Sequence, residues 1–170
     1  MYFIKPFNWL FLVFSLTLFS FELSAHVLKS STADVIIRDG QVEVKILTNS
    51  AHIISALQSE QAWLMGDIDK IMPSNLNNQQ QHLFLTNTFK KNINLVLNEQ
   101  HLEFEKVDLI NLNNNDEAHN LQIVLQAKHA IKNVNSLAIS FPKSLGAIHT
   151  RIIKPHYKLL NAGEIAVATF

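Results

Sequence analysis

The chain has 170 residues, with 14 Lys and Arg balancing 14 Asp and Glu, and it has no cysteine. A formal charge of zero argues against nucleic-acid binding, which draws on a basic surface, and against electrostatic attachment to a membrane surface. The lack of cysteine excludes disulfide bonds, so burial and hydrogen bonding must stabilise the fold.

Residues 1–25 have the three parts of a secretory signal peptide. Lys5 supplies a positive charge, Leu10–Phe21 is uncharged and largely apolar, and Ala25 is a small residue where a signal peptidase would cut. The apolar run is too short to span a bilayer as a helix, which needs about 20 residues. An uncleaved anchor helix is the alternative. We expect cleavage after Ala25 and one β-rich domain over residues 26–170, located in the periplasm or secreted, with no transmembrane segment.

The clearest element along the chain is a β-hairpin centred on Asp39-Gly40. Two β-branched runs, Val35–Ile37 and Val42–Ile46, flank this dipeptide, which is the pattern of a tight two-residue turn between strands. In the second run the apolar residues alternate with Glu43 and Lys45. This period of two predicts that the apolar side chains face the core while the two charged ones face solvent.

The segment that follows the hairpin changes to a helical period. Asn49–Leu64 begins with residues that cap helices, carries apolar residues at helical spacing, and is ended by Gly66-Asp67. A second short piece, helical or irregular, is expected over Gln79–Lys91. The cluster Trp63-Leu64-Met65 ends the first helix, and we interpret it as core packing. A contact surface for a partner is the alternative, because Trp is frequent at binding hot spots.

The rest of the chain consists of short apolar segments separated by turns. Asn-rich stretches mark the turns, and Pro142 and Pro155 end strands because proline cannot donate to a sheet ladder. The pattern predicts a mainly β fold, an antiparallel sandwich-like domain with one or two short helices inserted after the first hairpin, with an α+β arrangement as the alternative. The expected strands are Ile93–Leu97, Leu102–Leu112, Leu121–Ala127, Leu137–Phe141, Ala147–Ile153 and Glu164–Phe170.

Sequence motifs for catalysis are lacking. The chain has no Gly-x-Ser-x-Gly, no cysteine nucleophile, no His-Glu-x-x-His and no Gly-rich phosphate loop. Glu103 and Glu105 are predicted on the solvent face of a strand, and Asp67 and Asp69 are predicted to cap turns. We therefore predict that the protein is not an enzyme but a binding domain, and that its partner is an envelope or extracellular protein.

Eight histidines offer a second hypothesis, although no two of them have the spacing of a local metal-binding pair. Cleavage after Ala25 makes His26 the first residue, and its free amine and ring nitrogen together form a chelate. A further histidine completes a T-shaped site of three nitrogens, which suits copper. His149, on an expected strand, and His119, beside one, are the best candidates because strands hold ligands rigidly. Copper binding or delivery is therefore the alternative function.

The segment His26–Ala33, with the sequence His-Val-Leu-Lys-Ser-Ser-Thr-Ala, resembles the mature start of periplasmic copper-resistance β-sandwich proteins. Those proteins begin with histidine and carry a Ser-rich step before their first strand. The resemblance covers eight residues, and this chain lacks the proline usual in that stretch as well as the Met-rich and Asp-x-His segments. It implies a copper site at His26.

Overall fold

The computed structural model describes residues 30–112, 120–155 and 159–165. Sheet outweighs helix in these residues, which confirms the predicted mainly β fold, although they contain three α-helices and a 3-10 helix where one or two helices were predicted. The eight strands are β1 (Ser31–Arg38), β2 (Gln41–Thr48), β3 (Asn94–Leu97), β4 (Gln100–Leu102), β5 (Lys106–Asn111), β6 (Leu121–Lys128), β7 (Leu137–Ser140) and β8 (Ile148–Ile153). The helices are α1 (Ser50–Gln58), α2 (Glu60–Leu64), α3 (Asn78–Asn92) and a 3-10 helix over Lys143–Leu145.

The strands form two sheets. The larger sheet has the order β5-β6-β2-β1-β8, and the smaller sheet has the order β4-β3-β7. Both sheets contribute to one buried cluster with the helices, to which α1 gives Ile53 and Leu57 and α3 gives Leu85 and Phe89. The predicted signal peptide and most of the predicted strand Glu164–Phe170 lie outside the described residues.

The first hairpin is formed as predicted. β1 and β2 pair antiparallel from Thr32 with Leu47 to Arg38 with Gln41. Gly40 has a φ of +77°, in the left-handed region that glycine adopts at little cost because it has no Cβ. The alternation also places the apolar residues of β2 in the core, since Val42, Val44 and Ile46 are fully buried.

The pairing of β8 with β1 departs from a purely antiparallel arrangement. These two strands are parallel, with Ser31 opposite Ile148 and Ile36 opposite Ile153. A parallel pair needs a long connection, and here most of the domain, including the whole smaller sheet, lies between the two strands in sequence. Arg151 of β8 also donates two hydrogen bonds, of 2.9 and 2.7 Å, to the carboxylate of Asp34 on β1.

The helix predicted over Asn49–Leu64 is divided into two. Asn49 caps α1 as predicted, and its side chain accepts the backbone N–H of His52 at 2.8 Å. At Ser59 the backbone is extended, and the Ser59 hydroxyl accepts the N–H of Gln61, which starts α2. Because serine competes well for helix caps, it ends one helix and begins the next.

Glu103 and Glu105 are exposed, as predicted, but they do not lie on a strand. They belong to the short gap between β4 and β5, where Phe104 turns into the core and is only 2 % exposed. At this point the chain passes from the smaller sheet to the larger one, since β4 pairs with β3 and β5 pairs with β6.

The prediction that Glu43 faces solvent is wrong. Glu43 lies on the sheet face opposite the buried valines, as the alternation requires, but it is only 9 % exposed. Lys45 and Arg38 approach its carboxylate at 3.2 and 3.3 Å, and the amide of Gln126 donates to it at 3.2 Å. The residue is covered because β2 is the central strand, so that side chains of both neighbouring strands surround it.

The ionisation of Glu43 makes stability depend on pH. Burial acts to raise the pKa of the Glu43 carboxyl, but hydrogen bonds from Lys45 and Gln126, the charge of Lys45 and a hydrogen bond from Arg38 outweigh it, and the pKa is lowered. A lowered folded-state pKa stabilises the protein above the pKa of the unfolded state, and this stabilisation is lost as the pH falls through the folded-state value.

Glu43→Gln should therefore reduce stability by about 1–2 kcal/mol at pH 7, since hydrogen bonds to a charged group are replaced by weaker ones. The wild type should also lose more stability than the variant between about pH 5 and pH 3. Urea midpoints measured at several pH values test this expectation. Parallel stability curves for the two proteins would contradict it.

Candidate functional site

Three consecutive large apolar residues at the end of α2 are exposed to solvent. Trp63, Leu64 and Met65 are 49, 72 and 49 % exposed, and we call them the Trp63 patch. No residue of α2 is fully buried. Within this helix only Ala62 is partly buried against the core. The interpretation of this cluster as core packing is therefore wrong. The break at Ser59 ends the buried face of α1, so the next turns of helix are not covered by the sheet.

The backbone holds the Trp63 patch in a fixed position. The N–H of Gly66 donates to the carbonyl of Trp63 and the N–H of Asp67 donates to that of Ala62, both at 3.0 Å. Gly66 has a φ of +69°. This pair of bonds around a left-handed glycine is the Schellman motif, which confirms that Gly66-Asp67 ends the helix.

Asp67 ties the patch to a distant loop. Its carboxylate accepts the backbone N–H of Lys143 and, at 2.7 Å, that of Ser144. These groups start the 3-10 helix between β7 and β8, so Asp67 caps an element far away in sequence and not a local turn. Asp69, the other predicted turn cap, pairs with Lys91 on α3.

A small pocket of about 250 Å³ lies beside the patch. Ser144 lines it, is only 7 % exposed, and has a hydroxyl without a hydrogen-bond partner among the described residues. The volume is below the roughly 300–1,000 Å³ typical of small-molecule sites, and it suits one amino-acid side chain. Sequence reasoning missed this pocket, because nothing local distinguishes a serine in a connecting loop. Its walls are Ala56, Ser59, Gln61, Ala62, Met65, Asp67, Lys143 and Ser144.

Of the three predicted copper ligands, the described residues include His149 alone. It lies exposed on β8, opposite Thr32 of β1, while His26 and His119 lie outside the described ranges. Within the described ranges no three His, Asp or Glu side chains are grouped closely enough to hold a metal ion.

The sheet topology nevertheless relates the three histidines. β1, β6 and β8 all start at the same end of the larger sheet, since Ser31 pairs with Ile148 and Thr48 of β2 pairs with Leu121. His26 precedes the start of β1 by five residues and His119 precedes that of β6 by two, while His149 is the second residue of β8. Neighbouring strands are about 4.8 Å apart, so β6 and β8 are separated by about 14 Å.

Comparisons with protein-family models, with curated proteins and with solved structures find no match to this chain. In the described part of the chain, none of the helices has the length and apolar character needed to cross a membrane. A functional proposal therefore depends on the geometry of the Trp63 patch and its pocket.

The contact made by Asp67 can be tested against that of its neighbour Asp69. Asp67→Ala should destabilise the protein by about 1.5–3 kcal/mol, because it leaves backbone N–H groups near a partly buried loop without a charged acceptor. Asp69→Ala removes an exposed ion pair and should stay within about 0.5 kcal/mol. Denaturant unfolding of both variants gives the comparison. Equal midpoints would show that the loop is held by other contacts.

Proposed function

We propose that the protein is a non-catalytic binding domain of the periplasm or the extracellular space that contacts a protein partner through the Trp63 patch. The observation that carries the proposal is the exposure of three consecutive large apolar side chains next to the Schellman motif that ends α2. Exposed contiguous apolar surface is a feature of interaction sites. Tryptophan is also among the residues most enriched at binding hot spots.

The pocket beside the patch indicates which chemical groups the partner presents to this surface. Both carboxylate oxygens of Asp67 accept backbone N–H groups, so Asp67 holds the loop that forms one wall of the pocket. The Ser144 hydroxyl, which has no hydrogen-bond partner among the described residues, favours a ligand that can hydrogen-bond to it, because an unsatisfied buried polar group is unfavourable. A partner loop that lays apolar residues on Trp63 and inserts one side chain beside Ser144 fits this surface.

The compartment in the proposal is supported by the signal-peptide pattern of residues 1–25. A partner in the envelope or outside the cell follows from that location.

Capture of a partner should depend on Trp63. Immobilised protein comprising residues 26–170 is incubated with an envelope extract, and retained proteins are identified by mass spectrometry. Trp63→Ala should weaken capture by about 30-fold, the loss of about 2 kcal/mol expected at a hot spot. Leu83→Ala, which truncates a 61 % exposed leucine on α3, is the matched control and should retain the same partner. A protein retained equally by both variants would contradict the proposal.

Tryptophan fluorescence separates a protein partner from a lipid one. The second tryptophan, Trp9, lies in the predicted signal peptide, so the emission of residues 26–170 comes from Trp63. We expect no blue shift when anionic or zwitterionic lipid vesicles are added. A blue shift would show that the patch enters a membrane interface, where tryptophan is also favoured.

Copper binding is a second candidate function, and the pairing that puts His149 beside the start of β1, the strand that follows His26 in the chain, favours it. Intact-mass measurement of the exported protein should show a chain that begins at His26. Copper titration should then give one tight site, which His26→Ala abolishes and His149→Ala weakens. His82→Ala, an exposed histidine on α3, is the control and should bind copper like the wild type. A different mature N-terminus would exclude the amine ligand and this form of the site.

A further inference from the structure

The inner face of the larger sheet is covered over β1 but not over β8. Val35 of β1 and Ile152 of β8 are register partners, so their side chains point to the same face. Val35 is fully buried, whereas Ile152 is 55 % exposed. In a sandwich the second sheet covers such residues. Within the described part of the chain, the smaller sheet therefore leaves the β8 edge of the larger sheet open.

The open region is a groove of about 540 Å³ between β7 and β8, which we call the strand-edge groove. One wall is the run Leu137–Phe141, and the other includes Ile148, Thr150 and Ile152. Among the described residues, none of those that line the groove is charged. Moving a charged group from water against apolar walls is costly, so the groove favours an uncharged ligand.

β7 differs from the other edge strands because no charged residue lies on it or directly beside it. β5 has the ion pair of Lys106 with Asp108, β8 has Arg151, and β4 is flanked by Glu99 and Glu103. β7 reads Leu-Ala-Ile-Ser, between a serine and a phenylalanine. Charged residues on an edge discourage pairing with a further strand. β7 lacks this protection, and within the described residues its groove side has no strand partner.

The dimensions of the groove fit one added strand. A strand beside β7 lies about 4.8 Å from it in the plane of the smaller sheet and about 10 Å from the facing sheet. Its backbone pairs with the outward N–H and C=O groups of β7. Its inward side chains continue the layer of Leu137 and Ile139, which pack against the core, and they cover Ile152.

We propose that the strand-edge groove binds an extended segment of a partner protein, which adds to β7 as a fourth strand of the smaller sheet. In this mode of recognition main-chain hydrogen bonds give affinity and alternate side chains give specificity. The uncharged walls require apolar side chains at every second position of the segment, while the positions between them face away from the groove. The groove shares no lining residue with the pocket beside the Trp63 patch, so it is a second contact surface.

A second copy of the chain offers too little contact through this edge. β7 has four residues and extends about 13 Å. Two β7 strands paired side by side therefore bury far less than the roughly 800 Å² that each partner of a stable complex buries. A flexible segment contacts β7 along its edge and β8 across the groove at the same time, so it uses both walls.

Hydrogen exchange of residues 26–170, followed by NMR, tests the proposal with a synthetic peptide. The peptide is acetyl-Thr-Val-Thr-Val-Thr-Val-Thr-amide, added at about 1 mM to detect weak binding. It should slow exchange of the β7 amides by about tenfold, because their outward N–H groups gain partners. The amides of β5 should be unchanged. The same peptide with proline in place of the central valine should have no effect, since proline cannot donate to a ladder.

Matched aspartate substitutions locate the bound peptide. Ile152→Asp places a charge on the groove wall and should weaken binding by at least about tenfold. Thr150→Asp changes a second exposed position of the same wall and should have the same effect. Ile110→Asp replaces a 45 % exposed isoleucine on β5 and should leave the affinity for the peptide unchanged.

β7 exchange that the peptide leaves unchanged would overturn the proposal, and so would wild-type affinity in both groove variants. If the β7 amides of the free protein are as protected as those of the central strand β3, the edge is already paired within the chain and the proposal is wrong. Protection without peptide that is lost on dilution would assign the edge to a second copy instead. None of these results alters the capture expected of Trp63, because the two surfaces have different lining residues.

Discussion

The register of the central strand β2 is the constraint on which the rest of the structure depends. Val42, Val44 and Ile46 are fully buried, and a shift of one residue would turn all of them to the opposite face. Because the chain has no cysteine, no covalent link can compensate for such a shift. β1 and β6 pair along β2, and α1 begins directly after it, so the positions of these elements follow from that register.

Glu43 strengthens the same register from the other face of the sheet. Its carboxylate is contacted by Arg38 of β1, by Lys45 of its own strand and by Gln126 of β6. A nearly buried carboxylate without partners is costly, so a slip of either neighbouring strand is disfavoured by the loss of these contacts as well as by the loss of burial. Apolar burial and a polar network thus specify one pairing of three strands.

The loop from Phe141 to Gly146 forms one wall of the pocket beside the Trp63 patch. Lys143 and Ser144 line this pocket, while Leu145 is buried in the core and Phe141 packs against it. Asp67 fixes the middle of this loop through its backbone N–H groups. Asp67 lies on the Schellman turn that ends α2, so its contact connects the Trp63 patch to this loop.

The sequence by itself determined the local features of the fold. The Asp39-Gly40 turn, the alternation along β2, the cap at Asn49 and the helix end at Gly66-Asp67 are each specified by residues adjacent in the chain, because turns and caps depend on short-range backbone geometry. The β-rich class followed from the number and spacing of such segments. A helical period, however, shows which residues share a face and not whether another element covers that face.

Only the tertiary structure decided the features that combine distant segments. The exposure of Trp63 depends on where the sheet ends beneath α1 and α2, and the burial of Glu43 depends on side chains from two other strands. The parallel pairing of β8 with β1 places His149 beside the start of β1, which is the strand that follows His26 in the chain. No local spacing of residues indicates this pairing. Whether a side chain is buried depends on the residues that pack around it. In this chain some of those residues lie more than a hundred positions apart in the sequence.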